Sequence, residues 1–115
     1  MKVRNMEIFE IHASYCSVLA SAKRLAIMAC LDKRELSVGE LAAALDCPLS
    51  TVSRHLTVLK SKNLVLSRKE GTTVYYKPAD QRVIEACSAI RTALIESMQQ
   101  RGILAQEIDL DNLII

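Results

Sequence analysis

The side chains best able to do chemistry are Cys16, Cys30, Cys47 and Cys87, with His12 and His55. Thiolate and imidazole are soft ligands for thiophilic metal ions, and a thiolate is also the nucleophile of redox chemistry. His12 and Cys16 are one helical turn apart and can share a face. The cysteines make no Cys-x-x-Cys pair and are far apart, which reads as free thiols in a reducing cytoplasm rather than a disulfide framework. Free cysteine is among the most buried residue types, so core packing is the leading reading for Cys47, Cys30 and Cys87. The His12–Cys16 pair lacks an orienting third group. No Gly-rich phosphate loop or paired-carboxylate motif is evident either, so the chain is not read as an enzyme.

A second chemistry is recognition of a polyanion. Ser50, Thr51 and Ser53 can donate to phosphates or base edges, and Arg54 can fork onto guanine. Arg68, Lys69, Thr72 and Thr73 cluster a little further on, with Tyr75 beside them. The formal net charge of +2 hides an asymmetry: residues 48–77 hold six basic side chains and one acidic, while residues 102–115 hold three acids and no base. A stretch of that sign and size is a small electrostatic footprint for a polyanion, and a homodimer would double it. His55 sits at the edge of the same segment's apolar stripe and reads as half-buried, its ring bonded to backbone or phosphate.

These residues need elements to hold them. At 115 residues, half of them apolar, the chain fits one globular domain. Its four aromatics, Phe9, Tyr15, Tyr75 and Tyr76, are too few for a stacking platform for single strands. No apolar run reaches the ~18 residues of a membrane span. Glu7, Glu10 and His12 interrupt the only stretch that faintly looks like a secretion signal.

Helical periodicity covers residues 6–19, and Ser21 can cap a second helix running to about residue 31. Ser37 opens a capping box with Glu40, followed by Val38, Leu41, Ala42 and Leu45 at helical spacing. Pro48 suits the entrance of a fourth helix over 48–62, with Val52, Leu56 and Leu59 as its apolar stripe. Asn63 suits a left-handed terminator. The period then changes to two: residues 64–69 and 72–77 read as strands about a tight turn at Glu70 and Gly71. Tyr75 and Tyr76 alternate faces, and Tyr75 is expected to point outward. A long helix over 79–101 closes the pattern. Helices, a short-turn helix pair, a hairpin and a last helix spell a mostly α winged helix-turn-helix. Residues 1–101 form that domain, and the order of the tail at 102–115 stays open.

Three stretches carry a family resemblance: residues 37–42 (SVGELA), residues 45–56 (LDCPLSTVSRHL) with Leu59, Asn63, Leu64 and Val65 following, and residues 68–76 (RKEGTTVYY). With residues 18–27 (VLASAKRLAI), they closely resemble the ArsR/SmtB family of bacterial and archaeal repressors across roughly residues 14–95. The resemblance implies a homodimer joined by its first and last helices. It also implies repression through double-stranded operator DNA, relieved by an ion or a thiol modification. The fourth helix would be the recognition helix and the hairpin its wing.

The family's arsenic-type Cys-x-Cys at the start of the third helix is replaced here by Ser37, Val38 and Gly39. The zinc-type Asp and His set on the last helix is missing too. Cys16, Cys87, Cys30 and His12 remain as effector candidates, with no cofactor or metal assigned. Cys16 and Cys87 lie on the two helices the resemblance places at the interface. There they would hold a thiophilic ion with His12, or form a disulfide or polysulfide link. The family's persulfide sensors pair a second-helix cysteine with a last-helix one, elements that here carry Cys30 and Cys87, though not clearly at the family positions. The competing readings are an ArsR-like repressor with no metal or thiol effector, and a winged-helix protein-interaction module without a DNA role, since a fold alone does not fix function.

Overall fold

A computed structural model describes residues 1–103 and 113. Helices α1 (Met6–Leu19) and α2 (Ala22–Cys30) lead to a short strand β1 (Leu36–Ser37), then α3 (Val38–Leu45) and α4 (Leu49–Ser61). Strands β2 (Val65–Glu70) and β3 (Thr73–Pro78) make the hairpin, and α5 (Gln81–Gln100) ends the domain. All five sequence-expected helices and the hairpin are present, with no end shifted by more than two residues and α1 matching at both ends. Pro48 is the cap of α4 rather than its first residue. Most of the 102–115 tail lies outside the described residues.

Local chemistry explains the element ends. Ser21 Oγ accepts from Arg24 N at 3.4 Å and starts α2. At α3 both halves of the capping box form: Ser37 Oγ accepts from Glu40 N at 3.1 Å, and Glu40 Oε1 accepts from Ser37 N at 2.9 Å. Asp46 ends α3 in the left-handed region at φ 50°, and Asn63 turns the chain out of α4 at φ 58°. Both residue types tolerate that region because a short polar side chain can bond locally.

Two features differ from the sequence reading. The β2–β3 register pairs Glu70 with Thr73, so the turn is Gly71–Thr72, one residue later than expected. Gly71 takes φ +62°, which a first loop position of the II′ type requires. A third strand, β1, adds to the hairpin in the order β1-β3-β2, pairing Leu36 with Tyr76 and Ser37 with Tyr75. Two residues show no period, so this strand had no sequence signal.

The core lies between α2, α3, α4 and the root of the wing. Ile27, Leu31, Leu41, Val52, Leu56 and Leu59 have no exposed surface, and Met28, Leu64 and Val65 have 1%. Gln81 ties α5 to the loop before β1: its Oε1 accepts from Lys33 N at 3.1 Å and its Nε2 donates to Asp32.

The outer helices are different. Along α1 only Val18 and Leu19 are buried, and Met6, Ile8, Phe9 and Ile11 are more than half exposed. Along α5, Ile90 and Leu94 are exposed as well.

Replacing Ser37 by Ala is expected to remove the capping box and lower unfolding stability by about 1 kcal/mol, read as a lower denaturant midpoint at unchanged slope. An unchanged midpoint would mean that α3 is held by packing alone.

Candidate nucleic-acid interface

The burial of Val52, Leu56 and Leu59 fixes which way α4 faces. Ser50, Arg54 and Thr57 are exposed on the opposite side, and Thr51 and Ser53 are half-buried beside them. Pro48 caps the helix with no side-chain hydrogen bond, and its carbonyl accepts from the Thr51 and Val52 N–H groups at 3.0 and 3.2 Å. Thr57 Oγ1 donates to Ser53 O at 3.0 Å and is committed to its own helix.

The wing presents two faces. Val65, Ser67 and Lys69 alternate with Leu66, Arg68 and Glu70, and the register sets Tyr76 opposite Ser67 and Tyr75 opposite Arg68. Tyr76 packs against the core and Tyr75 lies on the other face, as expected. The Arg68 guanidinium sits 4.6 Å from the centroid of the Tyr75 ring.

Arg68 is also held by carboxylates. Its Nε donates to both Glu35 oxygens at 2.9 and 3.0 Å, and its Nη atoms sit 2.7 Å from Glu35 and Glu70. These bonds raise the Arg68 pKa above its ordinary value, and the bond from Arg68 holds the Glu35 carboxyl below its own. Arg68 is therefore a compensated charge rather than the free cation its position in the sequence suggested. Glu35 lies 33 residues away in the chain, so composition alone could not reveal the pairing. At the tip, Lys69 and Thr72 are exposed and Thr73 half-exposed.

His55 is half-buried, as expected, and its ring meets a side chain rather than the backbone. Its Nδ1 accepts from Arg24 Nε at 3.1 Å. Burial, then the Arg24, Lys23 and Arg54 charges, push the imidazole below its ordinary pKa. A neutral ring with its proton on Nε2 satisfies this geometry.

The thiols divide by burial. Cys30 is in the core at 4% exposure, and burial pushes its thiol up, so the packing reading holds there. Cys47 is half-buried, with Sγ 3.4 Å from Leu45 O. Cys16 is exposed and Cys87 half-buried. Both line one groove of about 440 Å³ between α1 and α5, with His12, Tyr15 and Asp80. Burial raises the Cys87 thiol, and the neighbouring Cys16 adds to that rise. Burial, then the charges of Asp80, Cys16 and Cys87, raise the Tyr15 hydroxyl. The structure thus brings Cys16, Cys87 and His12 to one groove and leaves Cys30 out of it. Among the described residues, however, no three His, Cys, Asp or Glu side chains converge to hold a metal ion, so the ion-binding trio is not assembled within one chain.

A family profile described as a helix-turn-helix domain matches residues 19–68. The chain is 39% identical over 83 residues to the biofilm growth-associated repressor of Agrobacterium fabrum, covering 70% of this chain and 71% of that protein. It is 40% identical over 85 residues to a transcriptional repressor SmtB homolog of Synechocystis, covering 74% and 64%. The matched region spans between 51% and 66% of the first curated relatives' length. Among solved structures, the homodimeric winged helix-turn-helix DNA-binding domain Mb0332 of Mycobacterium bovis superposes with a TM-score of 0.70 at 31% identity, covering 84% of this chain and 89% of that one.

Alkylation of the native protein is expected to label Cys16 and to spare Cys30 until the chain unfolds, read by mass spectrometry of the digested protein. Equal labelling rates would contradict the core placement of Cys30.

Proposed function

Because the chain belongs to the ArsR/SmtB family of winged helix-turn-helix transcriptional repressors, we propose that it represses transcription by binding operator DNA as a homodimer in the cytoplasm. The observation that carries this reading is the outward face of α4. An apolar stripe with no exposed surface anchors the helix and turns Ser50, Ser53 and Arg54 away from the core, beside a wing whose tip bears Lys69, a cation with no ion pair among the described residues.

In this reading α4 enters the major groove. Arg54 reads a guanine edge, and Ser50, Thr51 and Ser53 contact phosphates or base edges. His55 supports the helix from behind. Lys69, Thr72 and Thr73 touch the flanking backbone. Arg68 acts by stacking on Tyr75 and stiffening the wing more than as a free phosphate contact, since Glu35 and Glu70 cancel much of its charge.

The dimer reading rests on the exposed apolar faces of α1 and α5. Contiguous apolar surface on a soluble domain marks an interaction site. A symmetric pairing through these helices would bury Met6, Ile8, Phe9 and Ile11 and hold two α4 helices about one DNA turn apart, ~34 Å. The groove holding Cys16 and Cys87 would then border the interface. A thiol-directed effector acting there needs to change the spacing only slightly, since a coupling of ~1–3 kcal/mol shifts affinity by roughly 5–150-fold.

A gel-shift titration against DNA from the protein's own upstream region tests the reading. Arg54→Ala is expected to cost ~1–3 kcal/mol on the specific site and little on random duplex. Lys69→Ala should weaken both about equally and flatten the salt slope, and Arg68→Ala should flatten it less. Binding indifferent to salt and to all three substitutions would favour an interaction domain with no DNA role.

A further inference from the structure

Arg24 lies in the first turn of α2, half-buried, and its guanidinium joins three helices. Its Nη1 donates to the Val18 carbonyl, in the last turn of α1, at 3.1 Å. Its Nε donates to His55 Nδ1, in the middle of α4, at 3.1 Å. Among the described residues no carboxylate pairs with it. The charge is met instead by the negative end of the α1 dipole, which has no basic residue in its own last turn, and by an imidazole lone pair. A lysine cannot replace this: guanidinium presents donors along fixed, divergent directions, whereas an ammonium is a single compact point.

We propose that Arg24 is a positioning residue for DNA reading, fixing the rotation of α4 about its own axis by tying His55 to the end of α1. The proposal rests on the DNA-binding function argued above. Apolar contacts at Val52, Leu56 and Leu59 decide which face of α4 is buried, but they are non-directional. A roll of about 20° would keep those side chains largely covered. It would nevertheless sweep groups on the outer surface, ~5–6 Å from the helix axis, by about 2 Å. That is enough to break the hydrogen bonds through which Ser53 and Arg54 read an edge. The directional Arg24–His55 bond removes this freedom, and its other arm links α4 to α1, the helix assigned above to the dimer. A displacement of the α1 end is then felt at Arg54.

The link requires an unprotonated Nδ1. The charged groups facing His55 are Lys23 and Arg24 from α2 and Arg54 from α4, and they act with burial to favour the neutral ring. From α1 the nearby group is the Val18 carbonyl that Arg24 holds. Protonation would set two donors against each other. The link is therefore intact through the ordinary imidazole range and is lost only as pH falls through the depressed folded-state value.

The test uses the chain as a dimer, its upstream duplex and a scrambled duplex, with ring-nitrogen NMR of His55 alongside. Arg24→Gln and Arg24→Lys are each expected to reduce the preference for the specific duplex about tenfold, with affinity for the scrambled duplex changed far less. Arg24→Gln should also move the His55 titration up toward the ordinary imidazole range. His55→Gln, whose amide oxygen can still accept from Arg24, should keep the preference and lose its acid sensitivity. An unchanged preference in Arg24→Gln, or a proton found on Nδ1 of the native protein near neutral pH, would overturn the proposal. Should Arg24→Gln fail to fold, His55→Leu removes the acceptor alone, and a retained preference in that variant would overturn it equally. If the unsubstituted protein shows no preference between duplexes, the DNA-binding function itself fails, while the NMR titration still decides whether the link exists.

Discussion

Burial of one stripe of α4 governs the rest of the molecule. Val52, Leu56 and Leu59 have no exposed surface. Each fully buried aliphatic side chain is worth roughly 1.5–3 kcal/mol relative to exposure. Rotating α4 by one residue's angle would give up much of that, so the helix has one stable facing. The polar residues between the apolar ones are then forced outward together. In the proposed function, Ser50, Ser53 and Arg54 would form the reading surface because their neighbours cannot leave the core.

Electrostatics refines what the packing presents. Of the cations in the segment from α4 through the wing, Arg68 is absorbed by Glu35 and Glu70 and spread over Tyr75, which makes it a brace of the β-sheet. In the proposed function, the field that a duplex would meet comes instead from cations with no ion pair among the described residues, including Arg54 at the helix and Lys69 at the wing tip. Separating structural from available charge matters because phosphate affinity scales with cations that release counterions. The exposed apolar faces of α1 and α5 complete the division of labour: the centre of the chain is folded around its own core, and the outer helices are left for another surface.

How much of this was legible in the sequence follows from distance along the chain. The Ser37–Glu40 box, the left-handed Asn63, the stripe of α4 and the outward Tyr75 are local patterns, set by periods of three to four or of two, and each formed as read. The turn slipped by one residue because Glu70 and Gly71 offered no local means of choosing the register. What escaped was non-local. Strand β1 is too short to show a period. Arg68–Glu35 and Arg24–His55 join residues 33 and 31 apart, and nothing in either segment names the other. The thiols were legible as a set, but their sorting into core Cys30 and groove-lining Cys16 and Cys87 needed the packing of α1 against its neighbours.

The account turns on which surface meets the duplex, and mapping amide shifts of isotope-labelled protein on adding operator DNA asks that directly. The predicted result is a perturbed patch confined to the first two turns of α4 and the Lys69–Thr73 wing tip. The exposed faces of α1 and α5 should stay unmoved except near the end of α1. Perturbation centred on those outer helices, with α4 silent, would contradict it.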